Sequence, residues 1–397
     1  MKYDYIIIGA GSAGCVLANR LSADPSISVL LIEAGKPDHK LEIKIPIAFS
    51  KLFQTDFDWC YYTEPQPHLE YRRIYWPRGK GLGGSSSINA MVYIRGHQAD
   101  YDHWAQQGNP GWSFAEVLPA FKRGEHQERG ASEYHGIGGE LNVADPRSPH
   151  PLCQTFIEAA NQLGLPSLPD LNIPHPIGVS IYQLTQKNGE RHSAARAYLH
   201  PCLSRPNLKV LTETQVTRLI FQDTRVIGIE CVQSGQIQQI QAKQEVILSG
   251  GAINSPQLLM LSGIGPANHL ETLNIPVVIN LPGVGQNLQD HIASPVIYQC
   301  THPQRLLPAN TPSNWLKYAL WRRGTLTSNL AEAGGFIKTD PDLLSADLQI
   351  FFAPICFYNH GFTRFPGYQF SIGATVLRPH SRGWIRLQSS IFRMNYG

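Results

Sequence analysis

Long hydrophobic runs are missing from this chain. No stretch of about 18 consecutive apolar residues occurs, so no membrane-spanning helix is expected. Charge is sparse as well: Asp, Glu, Lys and Arg make up 16% of the 397 residues, and the formal net charge is only +3. That balance argues against a nucleic-acid partner, which calls for a concentrated basic patch. There is no C-x-x-C pair. The seven cysteines stand apart at Cys15, Cys60, Cys153, Cys202, Cys231, Cys300 and Cys356. An odd, scattered set argues against a disulfide framework and fits reduced thiols in a cytoplasmic protein. Repeats and low-complexity tracts are absent, and the first strand begins too early to leave room for a signal peptide. Glycine and proline are plentiful, at 35 and 29 residues, so turns and loops should be many. The length suits a large core shared between two domains.

The chain is organised around its first stretch, Tyr3 to Gly35. Ile6, Ile7 and Ile8 form a β-branched run that reads as a strand buried on both faces. Gly9, Gly11 and Gly14 follow as G-x-G-x-x-G, and Ala13, Val16, Leu17, Ala18 and Leu21 recur at helical spacing. A second strand, Val29 to Ile32, ends at Glu33, about 20 positions past the glycines. Gly9 permits the tight turn, Gly11 lets the backbone approach a pyrophosphate, and Gly14 lets helix and strand pack closely. The free N–H groups at the helix start face phosphates, and Glu33 suits ribose hydroxyls. The stretch by itself predicts a dinucleotide site and leaves FAD and NAD both open.

Further along, Trp59 to Thr63 reads as a short aromatic strand. Residues 97–125 carry two helical segments, with Ser113 and Glu116 set as a capping box. Residues 151–163 have the apolar period of an amphipathic helix, and Gln186 to Leu199 passes from a turn into a helix. There Arg191 or Arg196 is read either as a neighbour of the cofactor's edge or as part of a capped turn. Strands are expected at 208–211, 216–221, 226–232 and 237–249, then a helix from Ser255. A second set is expected at 295–300, 334–338, 347–352, 369–376 and 384–387. Trp315 to Arg323, an aromatic and basic helix, reads as part of the second domain, with a membrane surface as the other reading.

Two more stretches decide the cofactor. Trp76 to Gly96 holds Gly79, Gly81, Gly83 and Gly84 and then Ser85, Ser86 and Ser87, followed at once by apolar residues. Such a loop offers many N–H and hydroxyl donors and feeds a buried element, so it can wrap a second part of a flat cofactor. Gly79-Lys80-Gly81-Leu82-Gly83-Gly84-Ser85-Ser86-Ser87-Ile88-Asn89 resembles the first signature of the glucose–methanol–choline (GMC) family of FAD oxidoreductases. Gly251-Ala252-Ile253-Asn254-Ser255-Pro256-Gln257-Leu258-Leu259-Met260-Leu261-Ser262-Gly263-Ile264-Gly265 resembles its second. The likeness runs from about residue 3 to about 389.

The resemblance implies an α/β fold with a Rossmann-like FAD-binding domain, over 1–150 and 190–292. A sheet-based substrate domain would take 151–189 and 293–397. The implied FAD-holding residues are Gly9, Gly11, Ser12, Ala13, Gly14, Glu33, Ala34, Arg78, Gly81, Leu82, Gly83, Gly84, Ser85, Asn89, Ala90, Met91, Val92, Val216, Gly251 and Ala252. Binding is expected to be non-covalent, because Ile88 stands where covalent members can have His. The implied activity is oxidation of a primary alcohol, aliphatic or choline, with a quinone or respiratory acceptor. A cytoplasmic protein, or one peripheral at the inner membrane, is the matching location.

Ala331 and Phe351 stand where the light-driven decarboxylase branch has Cys and Arg, which argues against that chemistry. The family's catalytic His lies in an H-x-x-G-T-x-x-M-G pattern that does not occur in these 397 residues. No catalytic residue is therefore assigned, and His291 reads as a structural hydrogen-bond partner. The chain resembles a C-terminally truncated member, in which Asn395-Tyr396 is either a relic of the family's Asn-Tyr or chance. The alternative reading is a flavin-binding fragment without turnover.

Overall fold

The computed structural model describes residues 2–300, 311–363 and 365–390. The chain runs β1 (Lys2–Ile8), α1 (Ser12–Leu21), β2 (Val29–Ile32), α2 (Gln98–Gln106), α3 (Phe114–Gly124), α4 (Pro151–Gln162) and β3 (Gly178–Ile181). It continues through β4 (Leu208–Leu211), β5 (Thr214–Gln222), β6 (Arg225–Gln233), β7 (Gln236–Leu248) and α5 (Gly251–Leu261). The last elements are β8 (Ala293–Gln299), α6 (Pro312–Trp321), β9 (Ala333–Ile337), β10 (Leu348–Ala353) and β11 (Gln369–Val376).

The first sheet has the order β4-β2-β1-β7-β6-β5. Its first four strands are parallel, and β6 and β5 add antiparallel to the β7 edge. The isoleucine run shows why β1 is central. Ile7 packs with Leu31, Cys15, Ala18 and Leu199 on one face, while Ile6 packs with Leu30, Leu219, Ile229 and Leu258 on the other. Successive side chains of a strand point to opposite faces, so a β-branched run fills both cores at once. Ile8 pairs with Ile32 and with Leu248, which brings the C-terminal ends of three strands together.

The second sheet is antiparallel, in the order β8-β11-β10-β9. Helix α4 lies against it and against β3. Its Cys153, Ile157 and Ala160 are buried with Ala333, Phe352 and Val179, and Phe156 stacks on Phe352 at 5.2 Å. No helix among the described residues is long and apolar enough to cross a membrane.

Most expected elements are present, and several differ. Helix α5 begins at Gly251, not Ser255. Ser255-Pro256 has the look of a helix start, but the chain already turns at Gly250 and Gly251, and Pro256 sits inside the helix. The aromatic strand shortens to Tyr61–Tyr62, paired with Tyr75–Trp76. Leu163 caps α4 and is exposed, so it does not belong to the buried stripe. Gln186 to Leu199 is a two-residue-strand hairpin followed by one wide helical turn, Ala195–Leu199. Residues 384–387 are not a strand. Ile385 and Leu387 instead bury among Met260, Leu261, Leu270 and Ile275, away from the second sheet. Asn395 and Tyr396 lie outside the described residues.

Candidate functional site

Three glycine turns meet at the C-terminal ends of β1, β2 and β7, the place where an open parallel sheet leaves a crevice for ligands. The first is Gly9 to Gly14. Gly9 has φ +99°, and a Cβ there would lie 2.6 Å from the Ser249 carbonyl oxygen. A Cβ on Gly14 would lie 1.9 Å from the Gly9 oxygen, so helix α1 can rest on the turn only with glycine here. Gly11 differs: the nearest atom to a Cβ would be 3.9 Å away. Open space above this backbone, beside exposed Ser12 and Ala13, is what an approaching diphosphate requires. No side chain caps α1 at Gly11, which leaves its first N–H groups for a ligand.

The second turn is the Gly-Ser loop. Gly84, at φ +53°, sits so close to the fingerprint that a Cβ would lie 2.8 Å from Gly11 Cα. The Gly83 N–H donates to the Ala10 carbonyl at 2.8 Å, and the Leu82 N–H to Lys36 at 3.1 Å. Gly81 bridges to Lys36. The third turn, Gly250-Gly251, starts α5, also without a side-chain cap. Gly251 has φ +82° with nothing within 4 Å of a Cβ. Ser249 ties this turn to the first, its hydroxyl donating to the Gly9 carbonyl at 2.8 Å. Ser85, Asn89, Gly251 and Ala252 are all exposed.

Glu33 is buried at the end of β2. One carboxylate oxygen accepts the Ala10 N–H at 2.8 Å, and the other accepts the Gly35 N–H at 2.9 Å. Burial pushes its pKa up, against those hydrogen bonds. Glu33 thus holds the fingerprint turn in addition to offering its remaining lone pairs.

Beyond these turns lies a cleft of about 3590 Å³. Ala34 and Ala90 line it, together with Lys80, Gln215 and Ile253. Val216, expected to meet the adenine through its backbone, buries its side chain from β5 with Ile229 and Cys231, and the neighbouring Gln215 lines the cleft. Arg78 lies over the Trp76 ring at 4.6 Å and 4.0 Å from Asp290, and both of those residues line the cleft. Met91 is buried in a left-handed conformation, φ 59°, and Val92 packs beside Leu184 and Tyr182. Both position the loop by packing. Ile88 is buried with Ile43 and Leu52.

Arg191, read two ways from the sequence, is buried beside the loop. Its guanidinium donates to the Ser86 carbonyl at 3.0 Å, the Asn89 side-chain oxygen at 2.8 Å and the Ile43 carbonyl at 2.9 Å. Arg196 instead lies 3.7 Å from Asp38. His291 is exposed and bonds the Leu377 carbonyl at 3.0 Å, a structural contact. The cleft's far wall was missed from the sequence: Phe49, Phe53, Tyr75, Phe357 and His360, drawn from distant segments. Tyr75 packs edge-on to His360 at 5.0 Å and bonds the Asp58 carboxylate.

The GMC oxidoreductase family model matches residues 3–293. The chain is 46% identical to mitochondrial choline dehydrogenase of Homo sapiens, over 98% of this chain and 68% of that protein. It is 44% identical to alcohol dehydrogenase [acceptor] of Pseudomonas putida, over 98% and 72%. Among solved structures, pyridoxine 4-oxidase from Mesorbium loti superposes with a TM-score of 0.89 at 32% identity, covering 98% of this chain and 74% of that one. Formate oxidase does so with a TM-score of 0.89 at 26% identity, covering 98% and 75%. These likenesses and the glycine geometry agree: the chain belongs to the GMC oxidoreductase family, whose cofactor is FAD.

Proposed function

We propose that this chain holds FAD without a covalent link and serves the oxidation of a primary alcohol, aliphatic or choline, to the aldehyde, with a quinone-type acceptor taking the electrons. The observation that carries the reading is the pair of uncapped helix starts, α1 and α5, joined through Ser249 and closed over by Gly84. Backbone N–H groups of α1 would bind the diphosphate, and Glu33 the adenosine ribose. Arg191 and Asn89 would set the loop that meets the flavin. FAD, when bound, supplies an acceptor for a hydride.

Within the two substrate readings, the cleft favours an aliphatic chain. The acid beside the aromatic rings, Asp58, already accepts from the N–H groups of Gln54, Cys60 and Arg78 and from the Tyr75 hydroxyl. A quaternary ammonium would find rings there, but the Asp58 carboxylate beside them is already engaged. Choline remains the reading that the human relative's name supports. A second reading, flavin binding without turnover by this chain alone, is favoured by the absence of H-x-x-G-T-x-x-M-G from the sequence. A cytoplasmic location is proposed on the cysteine pattern.

The test is a visible spectrum of the purified protein, followed by anaerobic addition of 1-alkanols or choline. Bleaching supports the oxidation and ranks the substrates. Yellow protein that never bleaches supports the second reading. Protein that stays colourless with added FAD defeats both.

A further inference from the structure

Two arginines are buried among the described residues, Arg95 and Arg191. Their surroundings differ in charge. Arg95 meets the buried carboxylate of Glu125 at 2.8 Å. Arg191 donates only to neutral oxygens: the carbonyls of Ser86 and Ile43 and the side-chain amide of Asn89. Across its hairpin stands Gln186, an amide where a carboxylate would have neutralised it. The acid next to it in sequence, Glu190, lies 3.4 Å from Arg322 instead. Among the described residues the Arg191 Nη2 atom has no hydrogen-bond partner, and neither has the Gln186 side-chain oxygen.

A charge buried without a counter-ion is costly. Burial draws this guanidinium down to about 9, which still leaves it charged at neutral pH. It sits one side chain behind the cleft: Asn89, which it holds, is exposed, and Ala90 beside Asn89 lines the cleft. A negative charge arriving in the cleft would meet an unpaired cation through a thin, low-dielectric wall.

Alcohol oxidation delivers such a charge, and here the inference rests on the reading above, in which this loop meets the flavin. A hydride leaves the alcohol carbon for flavin N5 with its electron pair, and the hydroxyl proton passes to a base or to water. The oxidised ring is neutral, so the reduced ring carries one negative charge, spread over N1 and the C2 carbonyl. We propose that Arg191 is the electrostatic sink for that charge: its field, acting through the Asn89 loop, favours the reduced anion over the oxidised ring and raises the flavin's reduction potential. Arg191 is thus a positioning residue with an electrostatic task. The uncapped start of α5 adds partial positive charge, so part of the field survives without Arg191.

The experiment titrates the purified chain with oxidised FAD and, anaerobically, with dithionite-reduced FAD. By linkage, the ratio of the two dissociation constants gives the shift in potential relative to free FAD. Arg191→Gln should weaken both, and the reduced form by about tenfold more, equivalent to about 30 mV for a two-electron couple. Asn89→Ala removes the tether and keeps the cation, so both forms should weaken by one common factor. Asn89→Asp keeps an acceptor for Arg191 and for the Met91 N–H and supplies the missing carboxylate. It should move the ratio as Arg191→Gln does, and it decides the matter where Arg191→Gln does not fold. Sulfite gives a second readout: its sulfur lone pair forms a bond to N5 and the displaced ring electrons leave the flavin anionic. The adduct, read by loss of the visible band, should form about tenfold more weakly in both charge-removing variants. A ratio that Arg191→Gln and Asn89→Asp leave unmoved, or that Asn89→Ala moves as far, would overturn the proposal and leave Arg191 a purely structural residue. Protein that stays colourless with oxidised FAD defeats the flavin reading itself, whereas yellow protein with an unmoved ratio defeats this inference alone.

Discussion

The Arg191 guanidinium donates to the Asn89 side-chain oxygen at 2.8 Å, and that same oxygen accepts the Met91 N–H at 3.0 Å. A buried cation thus locks Asn89, two residues after the serine run. No carboxylate among the described residues pairs with it, and burial pulls its pKa down from the ordinary guanidinium value. Arg191→Ala should therefore free both the Ser86 carbonyl and Asn89. We expect about 2–4 kcal/mol of lost stability and at least about a tenfold rise in the FAD dissociation constant. Arg191→Lys should recover only part of this, because an ammonium cannot reproduce three planar contacts. Thermal unfolding and flavin titration by fluorescence read both effects.

The glycine turns predict a graded series. Gly14→Ala places a methyl 1.9 Å from a backbone oxygen, and Gly84→Ala places one 2.8 Å from Gly11 Cα. Both should yield protein that purifies colourless. Gly251→Ala meets no neighbour and carries only the cost of a left-handed backbone, about 1–2 kcal/mol. It should stay yellow, with a lower Tm. The ratio of flavin to protein absorbance separates the cases.

A buried ionic cluster sets a pH window. His135 bonds Glu125 at 2.8 Å and Asp170 at 2.6 Å, and Arg95 reaches Glu125 at 2.8 Å. Burial alone would lower the imidazole pKa, but the two carboxylates outweigh it and push it up to about 9. The charged imidazole is the form that the fold favours. Its contribution is complete below the unfolded value near 6.5 and is lost as the pH climbs through about 9. Asp170 is held below its usual range by His135 despite its own burial. Its share is present above the unfolded 3.8 and disappears as the pH falls through the lower folded value. Tm should thus plateau in mildly acidic buffer and sag toward pH 9. His135→Ala should cost about 3–5 kcal/mol and flatten the alkaline limb.

Ile88 predicts how the flavin leaves. Its side chain is packed among Ile43, Leu52, Phe53 and Phe57, and no imidazole is available at that place for a covalent bond. Acid precipitation should leave the yellow colour in the supernatant. Colour retained in the pellet would contradict the non-covalent reading.

What the sequence made legible was local. The strand before Gly9, the glycines themselves and the Ser113–Glu116 capping box depend on neighbours within a few residues, and each has the expected geometry: Glu116 accepts the Ser113 N–H at 3.1 Å. The cleft wall was illegible because Phe49, Gln215, Phe357 and His360 have no common spacing and meet only through tertiary packing. The strand expected at 384–387 failed for a related reason. Alternating Trp384, Ile385, Arg386 and Leu387 satisfies a period of two, yet Ile385 and Leu387 are claimed by the cluster around Met260. The start of α5 was misplaced because Ser-Pro is a strong local signal, whereas the true start depends on a close fit to Gly9.

The place of β1 between β2 and β7 has a consequence for biogenesis. The turn at Gly9 is closed by the Ser249 hydroxyl, a contact spanning 240 residues. At ribosomal speeds of about 5–20 residues per second, that wall appears roughly 10–50 s after the turn has been made. Until then one edge of an isoleucine-rich strand has no partner, and the cofactor has no complete cradle in which to bind. The growing chain must be shielded from aggregation by something other than its flavin.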